Sequence, residues 1–467
     1  MAQKRVISPE EIDRQKQIMA YVASVNKGLC KKAFIETYGC QQNVSDSEII
    51  SGMLIQMGYT MTSDKEEADF IIYNTCAVRE NAELKVYGNL GALKHLKNRK
   101  PDVILAVCGC MMQQESVKEQ IRKKYKHIDI VFGTHSLYRF PEILSKVITE
   151  RERVFDVVNS EGAIAENLPV NKAEGPCAWV SVMYGCNNFC SYCIVPYVRG
   201  RERSRLKEDI LKEVEEVAAR GCKEITLLGQ NVNSYGNDLE EDIDFSDLLS
   251  MVCKVSGIER VRFMTSHPKD ISDKLIETMA REKKICKQLH LPVQAGNNRV
   301  LKTMNRRYTR ESYMEKINKV KEKMPGITLT TDIIVGFPGE TTEEFEDTLK
   351  VLQDVRYDTI FSFIYSRRPG TPASEMDDVI SPEEKKRNFD RMLEIQDKIS
   401  KEKNMELEGK VMRVLVEGKS KNNDAFLAGK TEGGKTVNFQ GDDSLVGEFA
   451  DVEITDAKTW SLVGKII

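Results

Sequence analysis

No stretch of this 467-residue chain approaches the roughly 18 consecutive apolar residues that a membrane span requires. Its opening run, MAQKRVISPEEIDRQKQ, has no apolar signal region. Both absences argue against membrane and secretory destinations, and a cytoplasmic protein is expected. Positive charge is not in surplus either: 69 Lys and Arg face 72 Asp and Glu, a net charge of −3 at pH 7. A protein that grips phosphate backbone broadly shows the opposite balance, so any contact with RNA must be local. Histidine is absent between residues 136 and 266, and no internal repeat or low-complexity tract stands out.

What is present is an ordinary globular composition, 41% hydrophobic and 30% charged, in a chain long enough for about three domains. Residues 1–31 read as a polar helical extension, with Ile12, Met19, Tyr21 and Val22 spaced too loosely for a clear apolar face. Over 32–150 the runs KAFIETYGC, ADFIIYNTC, DVILAVCGC and IDIVFGT alternate with helix-like segments, which predicts an open parallel α/β sheet. Residues 151–171 lose periodicity and read as a linker. Over 172–402 six strand candidates alternate with helices, which suits a partial (β/α)6 barrel better than a closed eight-stranded one. From 405 to 467, short strands with Gly-rich turns predict a small antiparallel β-barrel.

Twelve cysteines in a reducing compartment do not suit a disulfide framework and point to metal ligands or catalytic thiols. Cys186, Cys190 and Cys193 follow the first strand of the central series in YGCNNFCSYC. Zinc would need a fourth Cys or His at finger-like spacing, and the histidine gap makes it the weaker competitor. A cubane cluster has four irons, so three thiolates leave one iron open to a small chelating ligand.

This region resembles the radical S-adenosylmethionine (SAM) superfamily. There the chelating ligand is the amino and carboxylate groups of SAM, and an electron from the cluster releases a 5′-deoxyadenosyl radical. The resemblance implies cofactor contacts at Tyr192, at Gln230 and Asn231 after the second strand, and at Gln294 and Asp332 at the ends of the fourth and fifth. The segment Gly336 to Glu340 would face the cofactor too, or would simply build a tight turn.

Cys40, Cys76 and Cys110 each end a predicted strand of the first sheet, where ligands bind in open α/β folds. Placement alone leaves a second cluster and buried structural cysteines equally open. The motifs TYGCQQN, NTCAVREN and CGCMMQ resemble the amino-terminal cluster motifs of the methylthiotransferase family and match at those three cysteines. Cys108 competes with Cys110, while Cys30, Cys177, Cys222, Cys253 and Cys286 match no motif. In YVRGRERSR, Arg199, Arg201, Arg203 and Arg205 could present one positive edge to substrate phosphates or a carboxylate, or form a solvated loop paired to Glu202 and Glu208.

The resemblance runs over nearly the whole chain from residue 32, and the final barrel is similar to the OB-like TRAM module. It implies two [4Fe-4S] clusters, SAM as radical source and methyl donor, and a sulfide or polysulfide on the amino-terminal cluster. It further implies flavodoxin or ferredoxin as electron donor, and a monomer that binds the anticodon stem-loop of tRNA. The implied reaction adds a methylthio group to C2 of N6-isopentenyladenosine at position 37. Sister branches of the family act on threonylcarbamoyladenosine of tRNA or on an aspartate of a ribosomal protein. A non-catalytic iron–sulfur or zinc protein with an RNA-binding barrel is the alternative from another class. Residues 405–467 run against RNA binding, with eight Lys and Arg against eleven Asp and Glu. Contacts there would fall to a few groups such as Arg413, Lys430, Lys435 and Asn438.

Overall fold

The computed structural model describes residues 6–77, 80–158, 162–172, 174–421 and 423–467. Val78 and Arg79 of NTCAVREN and residues 159–161 of the expected linker lie outside the described residues. The chain divides into two compact units. The first is Met1–Ala173 with Met183–Asn187 and Cys193–Arg205, and the second is Glu174–Val182, Asn188–Tyr192 and Leu206–Ile467.

The first unit is built on six strands: β1 (Lys32–Tyr38), β2 (Thr60–Met61), β3 (Phe70–Thr75), β4 (Ile104–Gly109), β5 (Ile130–Phe132) and β6 (Val154–Asp156). They pair in the order β2-β1-β3-β4-β5-β6, and every pair is parallel. Apolar residues fill both faces, as a sheet covered by helices on each side demands. Phe70, Ile72, Ala106 and Cys108 point into one core, while Ile71, Tyr73, Leu105 and Val107 point into the other.

Two expectations change here. The amino-terminal helix α1 (Pro9–Asn26) does have an apolar face: Ile12, Met19 and Val22 are buried, and Met19 and Val22 share a core with Met53 and Ile50. The spacing looked loose because buried Gln15 and Asn26 complete that face through side-chain hydrogen bonds, Asn26 Nδ2 donating to the Met57 carbonyl at 2.8 Å. The expected linker contributes the edge strand β6, and Ile164 within it pairs with Val6.

The second unit carries six parallel strands in chain order: β7 (Cys177–Ser181), β8 (Glu224–Leu228), β9 (Arg260–Phe263), β10 (Gln288–His290), β11 (Thr328–Val335) and β12 (Thr359–Ile364). They form two three-stranded sheets, and an isolated bridge from Val261 to Ile285 joins β9 to the segment leading into β10. The result is the six-stranded partial barrel read from the sequence. It is followed by a closed barrel of β13 (Val411–Ser420), β14 (Asn423–Thr431), β15 (Thr436–Phe439), β16 (Phe449–Ala457) and β17 (Leu462–Ile466). Four of its pairings are antiparallel. The fifth, β15 with β17, is parallel, because the chain crosses from β15 to pair β16 with β13 before it returns.

Candidate functional site

Strand register brings the first three cysteines together. Tyr38 of β1 stands opposite Thr75 of β3, and Thr75 stands opposite Gly109 of β4. The chain therefore leaves three adjacent strands at one level, and Cys40, Cys76 and Cys110 follow at once. Between β1 and β3 the connections diverge to opposite sides of the sheet, which is where open α/β folds bind ligands.

The glycines of YGC and CGC are there for space. A Cβ on Gly39 would stand 2.9 Å from the Cys76 Cβ. One on Gly109, whose φ is +99°, would stand 2.4 Å from the Thr75 carbonyl oxygen. A buried amide network fastens the strand ends. Asn43 Nδ2 donates to Asn74 Oδ1 at 3.0 Å, and Asn74 Nδ2 donates to the Asn43 carbonyl at 2.8 Å. Thr75 Oγ1 donates to the Cys108 carbonyl.

The thiols differ electrostatically. A hydrogen bond with Cys76 holds Cys40 well below the usual thiol range, with Arg199 adding to the effect and burial opposing it. Burial pushes Cys110 up, and Arg199 acts against that rise. Cys108 is enclosed in the sheet core with Phe132 and Phe140, which separates it from Cys110 at the strand end. Of the five cysteines without a motif, Cys222, Cys253 and Cys286 are buried and Cys30 is exposed.

The alternating arginines do not form an exposed positive edge. Arg199 is buried with its guanidinium on Asp46 and Cys110. Arg203 is buried and donates to the carbonyls of Arg201 and Arg199, and Arg205 forms a two-pronged pair with Glu166 at 2.6 and 2.8 Å. Only Arg201 of the four is exposed. The loop folds inward because these guanidiniums satisfy carbonyls and carboxylates that burial would otherwise strand. Glu202 is buried as well, accepting from the Asn187 amide at 3.1 Å, so the solvated-loop alternative fails too.

Around Cys190 the second unit gathers cationic and unpartnered polar groups. Arg306 is buried, with Nη1 3.4 Å from both Cys190 Sγ and the Tyr192 hydroxyl, and with Nη2 donating to the Pro292 carbonyl. Lys269 Nζ donates to Asn188 Oδ1 at 3.0 Å. His267 is driven down to about 2 by burial and by Arg306, Lys269 and Arg307, so it is neutral at ordinary pH. Among the described residues, the buried Asn188 Nδ2, Asn231 Oδ1, Asn233 Nδ2, Ser266 Oγ and His267 Nε2 have no hydrogen-bond partner. Such orphans are costly in a finished core and mark a place shaped for a polar ligand.

Asn231 and Gln230 follow β8 as read from the sequence, and Asn231 Nδ2 donates to Asp270. Two placements differ from the reading. Asp332 lies in the middle of β11 beside His290 rather than at its end, because the strand runs on to Val335. Gln294 lies four residues beyond β10 at a φ of +67°, hydrogen-bonded to Asp332 through its backbone amide. Gly336 to Glu340 closes on itself: Glu340 Oε2 accepts from the amides of Gly336 and Phe337 at 2.7 and 3.3 Å. The turn reading describes that segment. Among the described residues, no group of three His, Cys, Asp or Glu is arranged to hold a single metal ion.

Residues 32–133 match the Uncharacterized protein family UPF0004, residues 180–352 the Radical SAM superfamily and residues 406–467 the TRAM domain. The tRNA-2-methylthio-N(6)-dimethylallyladenosine synthase of Acetivibrio thermocellus is 55% identical, over 99% of this chain and 97% of that one. The synthase of the same name from Alkaliphilus oremlandii is 54% identical, over 99% and 98%. This chain belongs to the tRNA-2-methylthio-N(6)-dimethylallyladenosine synthase family.

Membership in this synthase family is a matter of sequence; at the level of fold, a solved radical SAM methyltransferase, TsrM from Kitasatospora setae, has a TM-score of 0.54 at 13% identity, over 74% of each chain. Sequence reasoning missed Asn43, Asp46, Asn74 and His267, and read Arg306 only as part of a local basic group with Arg307 and Arg310. The signal for the first two was present, since Asn43 and Asp46 recur on one face of the helix that starts after Cys40. His267 carried none, because only folding brings the loop after β9 to the Asn188–Tyr192 segment. Three groups suggested for RNA on the final barrel are engaged by protein: Arg413 with Glu259, Lys435 with Asp358 and Asn404, and Asn438 with Ser420. Among the described residues, no helix is long and apolar enough to cross a membrane.

Proposed function

We propose that this protein adds a methylthio group to C2 of N6-isopentenyladenosine at position 37 of tRNA, using two [4Fe-4S] clusters. The observation that carries the two-cluster reading is the arrival of Cys40, Cys76 and Cys110 at one level of three adjacent strands, in a chain that also bears Cys186, Cys190 and Cys193.

The residues suit these groups. Soft thiolates are the ligands iron–sulfur clusters take, and hydrogen bonding and Arg199 favour the thiolate at Cys40. Cys40, Cys76 and Cys110 would hold one cluster and its sulfide or polysulfide. Cys186, Cys190 and Cys193 would hold the other. When bound, the second cluster with SAM supplies the one-electron chemistry that removes hydrogen from C2, and the first supplies sulfur carrying a methyl group from another SAM.

The chain's own groups bind, orient and exclude. Asn231 Oδ1 and Gln230 would receive the SAM amino group, with Gln294, Asp332 and Tyr192 around the remainder. Arg306 places positive charge beside Cys190, where anionic ligands gather. Asn231, Gln294 and Arg306 are buried, which would keep water from that side of the bound cofactor. A flavodoxin or ferredoxin would deliver electrons, to a cytoplasmic monomer that binds the anticodon stem-loop. Nucleoside mass spectrometry of tRNA from cells lacking the protein tests the reading: the methylthio-isopentenyladenosine signal should vanish and the unmodified isopentenyladenosine accumulate. An unchanged methylthio signal would overturn it.

A further inference from the structure

Within the first unit a buried guanidinium bridges a cysteine and a carboxylate. Arg199 is 6% exposed; its Nε donates to Cys110 Sγ at 3.1 Å and its Nη2 to Asp46 Oδ2 at 2.7 Å. The short helix Val195–Arg199 that carries it is held firmly. Thr134 Oγ1 donates to the Val198 carbonyl at 2.6 Å, and Arg203 Nη2 donates to the Arg199 carbonyl at 3.0 Å. Ile194 and Val198 pack in one apolar cluster with Ala77 and Cys110. Asp46 stands on the helix α2 (Gln41–Gln56), which Cys40 caps.

A charge removed from water persists only beside an opposite charge. Asp46 compensates Arg199 once, and the one guanidinium donates to both groups, through Nε to Cys110 and through Nη2 to Asp46. Hydrogen bonds to ligating sulfur, and the net charge nearby, are how a protein sets the reduction potential of an iron–sulfur cluster.

We propose that Arg199 and Asp46 together set the reduction potential of the cluster held by Cys40, Cys76 and Cys110. Arg199 favours the one-electron-reduced, more negative form, and Asp46 limits that effect. The proposal rests on the reading above that these cysteines hold a cluster. Both residues act through Cys110 as positioning residues. Because Arg199 lies six residues after Cys193, the segment bearing a ligand of the radical centre also delivers the cation of the sulfur centre.

The test uses the full-length chain carrying Cys186→Ala, Cys190→Ala and Cys193→Ala, so that any remaining cluster belongs to the first site. After anaerobic reconstitution, iron and sulfide are counted, and the midpoint potential is read by electron paramagnetic resonance during titration with dithionite, which supplies one electron per cluster. Arg199→Met is expected to lower the midpoint and Asp46→Asn to raise it, at unchanged iron content. Loss of packing alone would not move the two in opposite directions. An iron-free parent variant would sink the cluster reading itself. An iron-loaded parent in which neither substitution shifts the midpoint, or both shift it the same way, overturns this proposal. Should Arg199→Met fail to hold iron, the missing upward shift in Asp46→Asn overturns it alone.

Discussion

Replacing Arg262 with methionine should detach the final barrel from the sheet that carries it. Arg262 lies on β9 with all five of its N–H donors in use. Nε and Nη2 donate to the two carboxylate oxygens of Glu224 at 2.8 and 3.1 Å. Nη1 donates to Gln288 Oε1 and the Glu432 carbonyl, and Nη2 also to the Thr431 carbonyl, each at 2.7 Å. Thr431 and Glu432 form the end of β14 and its turn, so one side chain joins the parallel sheet to the barrel. Glu224 is buried, and its other cationic neighbour, Arg260, stands at 3.8 Å. Stranding a buried carboxylate costs about 3–5 kcal/mol, and each buried carbonyl left unpaired about 1–3 kcal/mol more. A loss of at least about 4 kcal/mol on urea unfolding is therefore expected for Arg262→Met, with faster proteolytic release of residues 405–467. Glu224→Gln in the same chain should recover part of it, because the stranded charge is gone. A single Arg262→Met variant within about 1 kcal/mol of the parent would refute the reasoning.

Three further outcomes are expected. His267, held down to about 2 in the folded chain against an ordinary 6.5, takes up a proton only on unfolding between those values. Stability should therefore fall as pH drops below about 6.5, by about 2 kcal/mol at pH 5, and His267→Gln should flatten that limb in urea titrations at pH 7.5 and 5. Met19→Ala should cost about 2–5 kcal/mol in the same assay, since α1 belongs to the core of the first unit; a change under 0.5 kcal/mol would restore the view of α1 as a loose extension. Arg306→Met should leave cluster iron in place while cleavage of SAM to 5′-deoxyadenosine falls about 10–100-fold under anaerobic reduction, and full cleavage would remove Arg306 from the site.

Much was determined by the sequence alone. The two alternating series, the break to short strands near 405 and the six cysteines at strand ends were legible, because backbone periodicity and strand-end placement are local properties. What escaped was each feature that depends on which distant groups meet. The arginines of YVRGRERSR looked like an open edge, and burial gave three of them protein partners instead. Arg306 and His267 acquired meaning only beside the cysteine loop, and Arg260 and Arg262 only against the barrel. Charged side chains lie outside hydrophobic periodicity, and their partners are 26 to 170 residues away in the case of Arg262. Tertiary structure alone decided where the buried charges sit, and burial is what makes those charges strong enough to matter.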